Sequence, residues 1–185
     1  MEIIAETERL LLREWEAGDA GVLFAMTGDA EVMLHIGDRR PWESVERAQA
    51  WLGRVSDSYR VRGYGFWAVV EKSSGRAVGS CGFGPHQGIG DPEFGYLYAR
   101  HAWGHGYATE AGREVLRYGF ERLGFDEVIA CTTPEHAASR RVLDKLGFEF
   151  VELRVLEGNE EDDESAVYRL ANPRARGEDD GKHAD

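Results

Sequence analysis

The residues of this chain best suited to hold an anion stand together. They form the stretch Arg100-His101-Ala102-Trp103-Gly104-His105-Gly106-Tyr107-Ala108-Thr109-Glu110. A strand-like run, Glu93-Phe94-Gly95-Tyr96-Leu97-Tyr98, precedes it, and a helix with an apolar stripe follows. A glycine-rich turn between strand and helix lets backbone N–H groups converge where the positive end of the helix dipole also lies. The guest that suits such a place is a phosphate or pyrophosphate. Spacing alone leaves a second reading open, a tight turn that packs helix on strand.

These residues need a scaffold, and the hydrophobic pattern supplies one. Segments 7–13, 66–70, 77–83, 93–98, 127–131, 148–156 and 165–170 read as strands. Asp19, Asp29 and Ser44 are helix-start signals ahead of apolar residues at helical spacing. The best-defined helix carries Ala108, Ala111, Gly112, Val115, Leu116, Gly119, Phe120 and Leu123 on one stripe, with Gly124 as its stop. A further helix spans Ala137 to Leu146 and stops at Gly147. Residues 85–92 read as a flexible loop. The expected fold is a mixed α/β one, with about seven strands in a mostly antiparallel sheet and helices on both faces. One domain covers residues 1–171, and the polar, acidic stretch 172–185 reads as a disordered tail.

Bulk properties narrow the function classes. The net charge is −12, which argues against nucleic acid as a partner and favours a cationic or amine one. Part of that charge lies in Glu160-Glu161-Asp162-Asp163-Glu164, which reads as a solvated loop. No apolar run matches a membrane helix, the start of the chain lacks signal-peptide character, and a cytoplasmic location is expected. Cys81 and Cys131 lie in strand-like segments and are expected to be buried, reduced thiols. Neither they nor the six histidines show metal-ligand spacing, so no metal is expected.

A second motif follows the turn: Thr132-Thr133-Pro134-Glu135-His136-Ala137-Ala138-Ser139-Arg140-Arg141-Val142-Leu143-Asp144-Lys145-Leu146-Gly147-Phe148. Together with Thr7-Glu8-Arg9-Leu10 and Trp103-Gly104-x-Gly106-Tyr107-Ala108-Thr109-Glu110, it resembles the GCN5-related N-acetyltransferase (GNAT) superfamily. The resemblance is strongest to the ribosomal-protein N-acetyltransferase branch and covers roughly residues 7–170. It implies acetyl-CoA as cosubstrate and an amine acceptor, either a protein N-terminus or a small amine. It also implies direct transfer in a ternary complex, and the family permits a homodimer. Small-molecule detoxification and a non-catalytic acyl-CoA-binding module are the alternatives.

The resemblance also implies site residues. The pyrophosphate cradle would be Gly104, His105, Gly106, Tyr107, Ala108 and Thr109. The pantetheine arm would pair with the splayed strand at Leu97 and Tyr98, where a backbone N–H would also hold the oxyanion. Glu93 is the expected base, with His86 as the alternative, and Ser139 would stand beside the departing thiolate. From their residue type, Trp42, Trp51, Phe83 and Tyr96 read either as core, the commoner place for such aromatics, or as walls of the acceptor pocket. Glu110 reads as structural, and Arg140 and Arg141 as candidate phosphate contacts. Three positions depart from the pattern. His101 opens the turn motif in place of Gln or Arg. His136 replaces a usual Asn that contacts the cofactor arm. Leu143 replaces a Tyr that many members use as general acid.

Overall fold

The computed structural model describes residues 2–86, 90–156 and 164–174. Its strands are β1 (Ile3–Glu6), β2 (Leu10–Arg13), β3 (Phe66–Glu71), β4 (Arg76–His86), β5 (Gly90–Tyr98), β6 (Glu127–Thr132), β7 (Glu149–Val155) and β8 (Glu164–Ala171). The helices are α1 (Ala20–Thr27), α2 (Ala30–Met33), α3 (Val45–Arg62), α4 (Tyr107–Glu121) and α5 (Ala137–Leu146).

One eight-stranded sheet has the order β1-β2-β3-β4-β5-β6-β8-β7. Every neighbouring pair is antiparallel except β5 and β6, which are parallel and register only at Glu93 and Ile129.

β3 shows why the sheet is covered on both sides. Side chains alternate along a strand, and here both sets are apolar. Trp67 and Val69 join one core with α4, while Ala68 and Val70 join a second core with α1 and α3. Burying one such large side chain contributes roughly 1.5–3 kcal/mol. On the first face α4 lies close to the sheet because of Gly119. A Cβ there would stand 2.7 Å from the Phe83 ring.

The fold class agrees with the expectation, and three details differ. The strand expected at 7–13 begins only at Leu10, and a further strand, β1, precedes it: Thr7 accepts from the Leu10 N–H through its hydroxyl and turns the chain between β1 and β2. Strand pairing extends to His86 and resumes at Gly90, so residues 85–86 and 90–92 of the expected 85–92 loop are strand instead. Asp19 does not cap α1. Its carboxylate accepts from the Glu16 N–H and from Arg13, which closes the short 3-10 turn before the helix. Asp29 does cap α2, accepting from the Glu31 N–H at 3.0 Å. Most of the acidic run at 160–164, all of residues 87–89 and the tail from 175 lie outside the described residues.

Candidate active site

Past Glu93 and Ile129 the two parallel strands no longer pair. Into this gap opens a cavity of about 780 Å³, lined from both strands and from α1, α2, α4 and α5. The sheet order puts the glycine turn, the late motif and Glu93 around one space.

At one end is the turn. Gly104 (φ +77°) and Gly106 (φ +80°) are both left-handed, a backbone conformation that glycine adopts without a Cβ penalty. A Cβ added at Gly104 would meet nothing within 4 Å, and at Gly106 only the Arg9 guanidinium at 3.8 Å. Gly106 is the N-cap of α4 and has no side chain to satisfy the first turn. The first intrahelical bond at that end runs from the Glu110 N–H to the Gly106 carbonyl at 3.0 Å. The N–H groups of Tyr107, Ala108 and Thr109 are therefore left for a ligand. Open space, glycine approach and unsatisfied donors fit a pyrophosphate.

Glu110 holds the turn in place, as its expected structural role requires. Its carboxylate accepts from the Thr7 hydroxyl at 2.5 Å, from the Arg9 N–H and from the Arg9 guanidinium. Arg9 also donates to the His105 carbonyl at 3.0 Å and lies over the Tyr107 ring. The Thr-Glu-Arg-Leu signature at the start of the chain thus clamps the turn.

In the middle is the gap. Antiparallel strands alternate the direction of their peptide groups. The Ala99 N–H donates to Val78 in β4, so Leu97 likewise faces β4. The peptide groups that face the gap belong to Tyr96 and Tyr98, and the Tyr98 carbonyl already accepts from Trp103 Nε1 at 2.8 Å. The Leu97 peptide, expected to pair with the cofactor arm, thus faces β4 and not the gap, while the Leu97 side chain lines the cavity.

Glu93 lines the cavity at the point of divergence, half-buried, and burial pushes its carboxyl up to about 8. Ser139 and Tyr96 meet across the gap, hydroxyl to hydroxyl at 2.9 Å. Residue type leaves Tyr96 as core or pocket wall; its place two residues beyond Phe94 on β5, with its hydroxyl on Ser139 of α5, is not visible in spacing. Cys131 is half-buried rather than fully buried and also lines the cavity. Burial, followed by the Glu93 charge, pushes its thiol up to about 12. Among the described residues no His, Cys, Asp and Glu cluster is arranged to hold a metal.

His136 lines the cavity and stacks on His35, with ring centroids 4.1 Å apart. His35 in turn meets the Thr133 hydroxyl at 2.7 Å. Burial, then His35 and Arg141, pulls His136 down to about 4; burial also lowers His35. Burial thus favours the neutral form of both rings.

The remaining expectations divide. Trp42, Trp51 and Tyr96 line the cavity, but Phe83 is fully buried in the core beneath α4. Gly104, Gly106, Tyr107, Ala108 and Thr109 line it; His105 turns its ring toward the Trp103 carbonyl instead. Arg141 and Lys145 line it, whereas Arg140 is held by the Tyr168 hydroxyl and the Pro134 carbonyl. His101 sits outside it, and Leu143 is a buried wall. The side chain of His86 lies outside the described residues.

Comparison with known proteins agrees with this geometry. Residues 9–149 match the family described as Acetyltransferase (GNAT) domain. The uncharacterized N-acetyltransferase p20 of Bacillus licheniformis is 32% identical over 144 residues, covering 77% of this chain and 80% of that protein. An acetyltransferase (GNAT family) structure from Bacillus anthracis superposes with a TM-score of 0.78 at 25% identity, over 93% of this chain and 99% of that one. RimL, a ribosomal L7/L12 alpha-N-protein acetyltransferase solved with coenzyme A, gives a TM-score of 0.78 at 16% identity, a likeness of fold, over 92% and 98% of the two chains.

Proposed function

The chain belongs to the GNAT acetyltransferase family and is an N-acetyltransferase; on that premise we propose that it moves the acetyl group of acetyl-CoA directly to a primary amine within a ternary complex. The observation that carries this reading is the continuity of one cavity. It runs from the glycine turn, past Glu93, to the space beneath Trp42 and Trp51. Two cosubstrates entering from opposite ends would meet at the gap between β5 and β6.

Acetyl-CoA, when bound, supplies a thioester carbonyl open to attack by an amine. The N–H groups of Tyr107, Ala108 and Thr109 hold its pyrophosphate, with Arg141 and Lys145 as cations on the same wall. The Tyr96 peptide faces the gap and offers the oxyanion donor. Glu93 takes the proton from the acceptor ammonium, directly or through one water. As the C–N bond forms and the C–S bond breaks, Ser139 gives a proton to the departing sulfur, and Tyr96 resupplies it through the 2.9 Å contact. Cys131 is the thiol that would allow a covalent acetyl-enzyme. Held near 12, it is almost wholly protonated at pH 7 and is a poor nucleophile.

Initial-rate kinetics test this. Intersecting double-reciprocal lines, and a Cys131→Ala variant with nearly unchanged rate, are expected. Parallel lines with acetylated Cys131 in the intact protein would overturn direct transfer.

A further inference from the structure

The acceptor half of the cavity has an unusual balance of surfaces. Its walls are Met33, Leu34, Ile36, Trp42, Trp51 and Phe66. The polar side chains among them are already committed. Thr27 donates to the Leu23 carbonyl at 3.0 Å. Ser80 donates to the Trp67 carbonyl and accepts from Trp15 Nε1. Glu31 is paired with Arg100 at 2.9 Å. His35 is engaged with Thr133 and stacked on His136. Among the described residues lining this half, Glu93 has the one carboxylate with no ion pair.

Resting on the amine-acceptor reading above, we propose that the acceptor is a monoamine with an apolar body, aromatic or branched. One ammonium meets Glu93, and the body fills the space against Trp42, Trp51 and Phe66. A second ammonium, as in a polyamine or an aminoglycoside, would enter this apolar space where the other carboxylate, Glu31, is already shared with Arg100. Burying an unpaired charge costs far more than the apolar contacts return. A free carboxylate beside the amine would meet the same difficulty, because burial favours the neutral form of the nearby imidazoles. Selectivity of this kind is strong, since a polar group left unpaired is penalised more than a missing methylene.

The experiment compares three acceptors in thiol-release assays with the full chain: 2-phenylethylamine, a tripeptide amide beginning with Phe, and spermidine. The kcat/KM for 2-phenylethylamine is expected to exceed that for spermidine by at least about tenfold. Equal or greater efficiency with spermidine overturns the proposal. The tripeptide assigns the source: efficiency matching phenylethylamine makes the natural monoamine a peptide terminus, and lower efficiency makes it a free amine. Both results uphold the apolar monoamine. Trp42→Ala provides a second arm, with acetyl-CoA affinity as the check that it folds. It is expected to reduce kcat/KM for phenylethylamine about tenfold while sparing spermidine; equal losses for both overturn the role of the aromatic wall. Binding of acetyl-CoA with transfer to none of the three would overturn the amine-acceptor reading itself.

Discussion

At the scale of single residues, Glu93 as the proposed base would set the pH behaviour. Its ordinary pKa of 4.5 is pushed up to about 8 by burial. The basic form therefore grows in as pH rises through about 8, and kcat/KM is expected to rise with it. Glu93→Gln should flatten that limb and lower the rate by about a hundredfold, a typical contribution of a positioned base. An unchanged pH profile would remove Glu93 from the reaction. The same shift has a consequence for stability. Between pH 4.5 and about 8 the folded state binds more protons at Glu93 than the unfolded state, so stability falls as pH rises through that window. Glu93→Gln should consequently raise Tm more at pH 8.5 than at pH 5. The Tyr96–Ser139 pair is also separable. In the proposed reaction, Ser139→Ala removes the group that meets the sulfur, and Tyr96→Phe removes only its resupply. The serine variant is expected to lose more kcat, with little change in acetyl-CoA affinity for either. A tyrosine variant slower than the serine variant would make Tyr96 the direct proton donor.

The elements matter because two of them part. β5 and β6 register at one residue pair, and α4 and α5 flank the opening that follows. The start of α4 is the proposed anion end of this arrangement, and its geometry depends on backbone more than on side chains. Gly106→Trp places a Cβ at a φ of +80°, which costs roughly 1–2 kcal/mol, and a large ring at the approach to the turn. Titration calorimetry should then show acetyl-CoA binding lost while circular dichroism shows the fold retained. Normal affinity in that variant would sink the assignment of the turn. The N-terminal signature belongs to this scale too. Thr7 and Arg9 lie far from the turn in sequence, yet the Glu110 carboxylate binds both.

For the whole molecule, the net charge of −12 acts at a distance. It attracts a cationic acceptor and repels the phosphates of acetyl-CoA, until Arg141, Lys145 and the start of α4 take over at short range. Raising ionic strength to about 0.5 M shortens the Debye length to a few ångströms. The kcat/KM for the amine is expected to fall over that range, and the association rate of acetyl-CoA to rise. An amine efficiency that is insensitive to salt would mean that long-range charge plays no part in capture.

Much of this was legible in the residues. The Gly104-x-Gly106 turn, the helix stripe behind it and the Ala138-to-Phe148 motif specify local structure, because period, capping and left-handed glycine are properties of short segments. The sequence therefore determined most of the elements and the family resemblance, and it marked the left-handed glycine turn proposed as the anion cradle. It could not say that Phe83 lies in the core while Tyr96 meets Ser139, since strand alternation names two faces without saying which is which. Nor could it show that Leu97 faces β4, which depends on hydrogen-bond register, or that His35 stacks on His136 from an element about a hundred residues away. The tertiary structure decided those points. They arise from the pairing of strands distant in sequence, and from the single register at Glu93 and Ile129 beyond which the sheet opens.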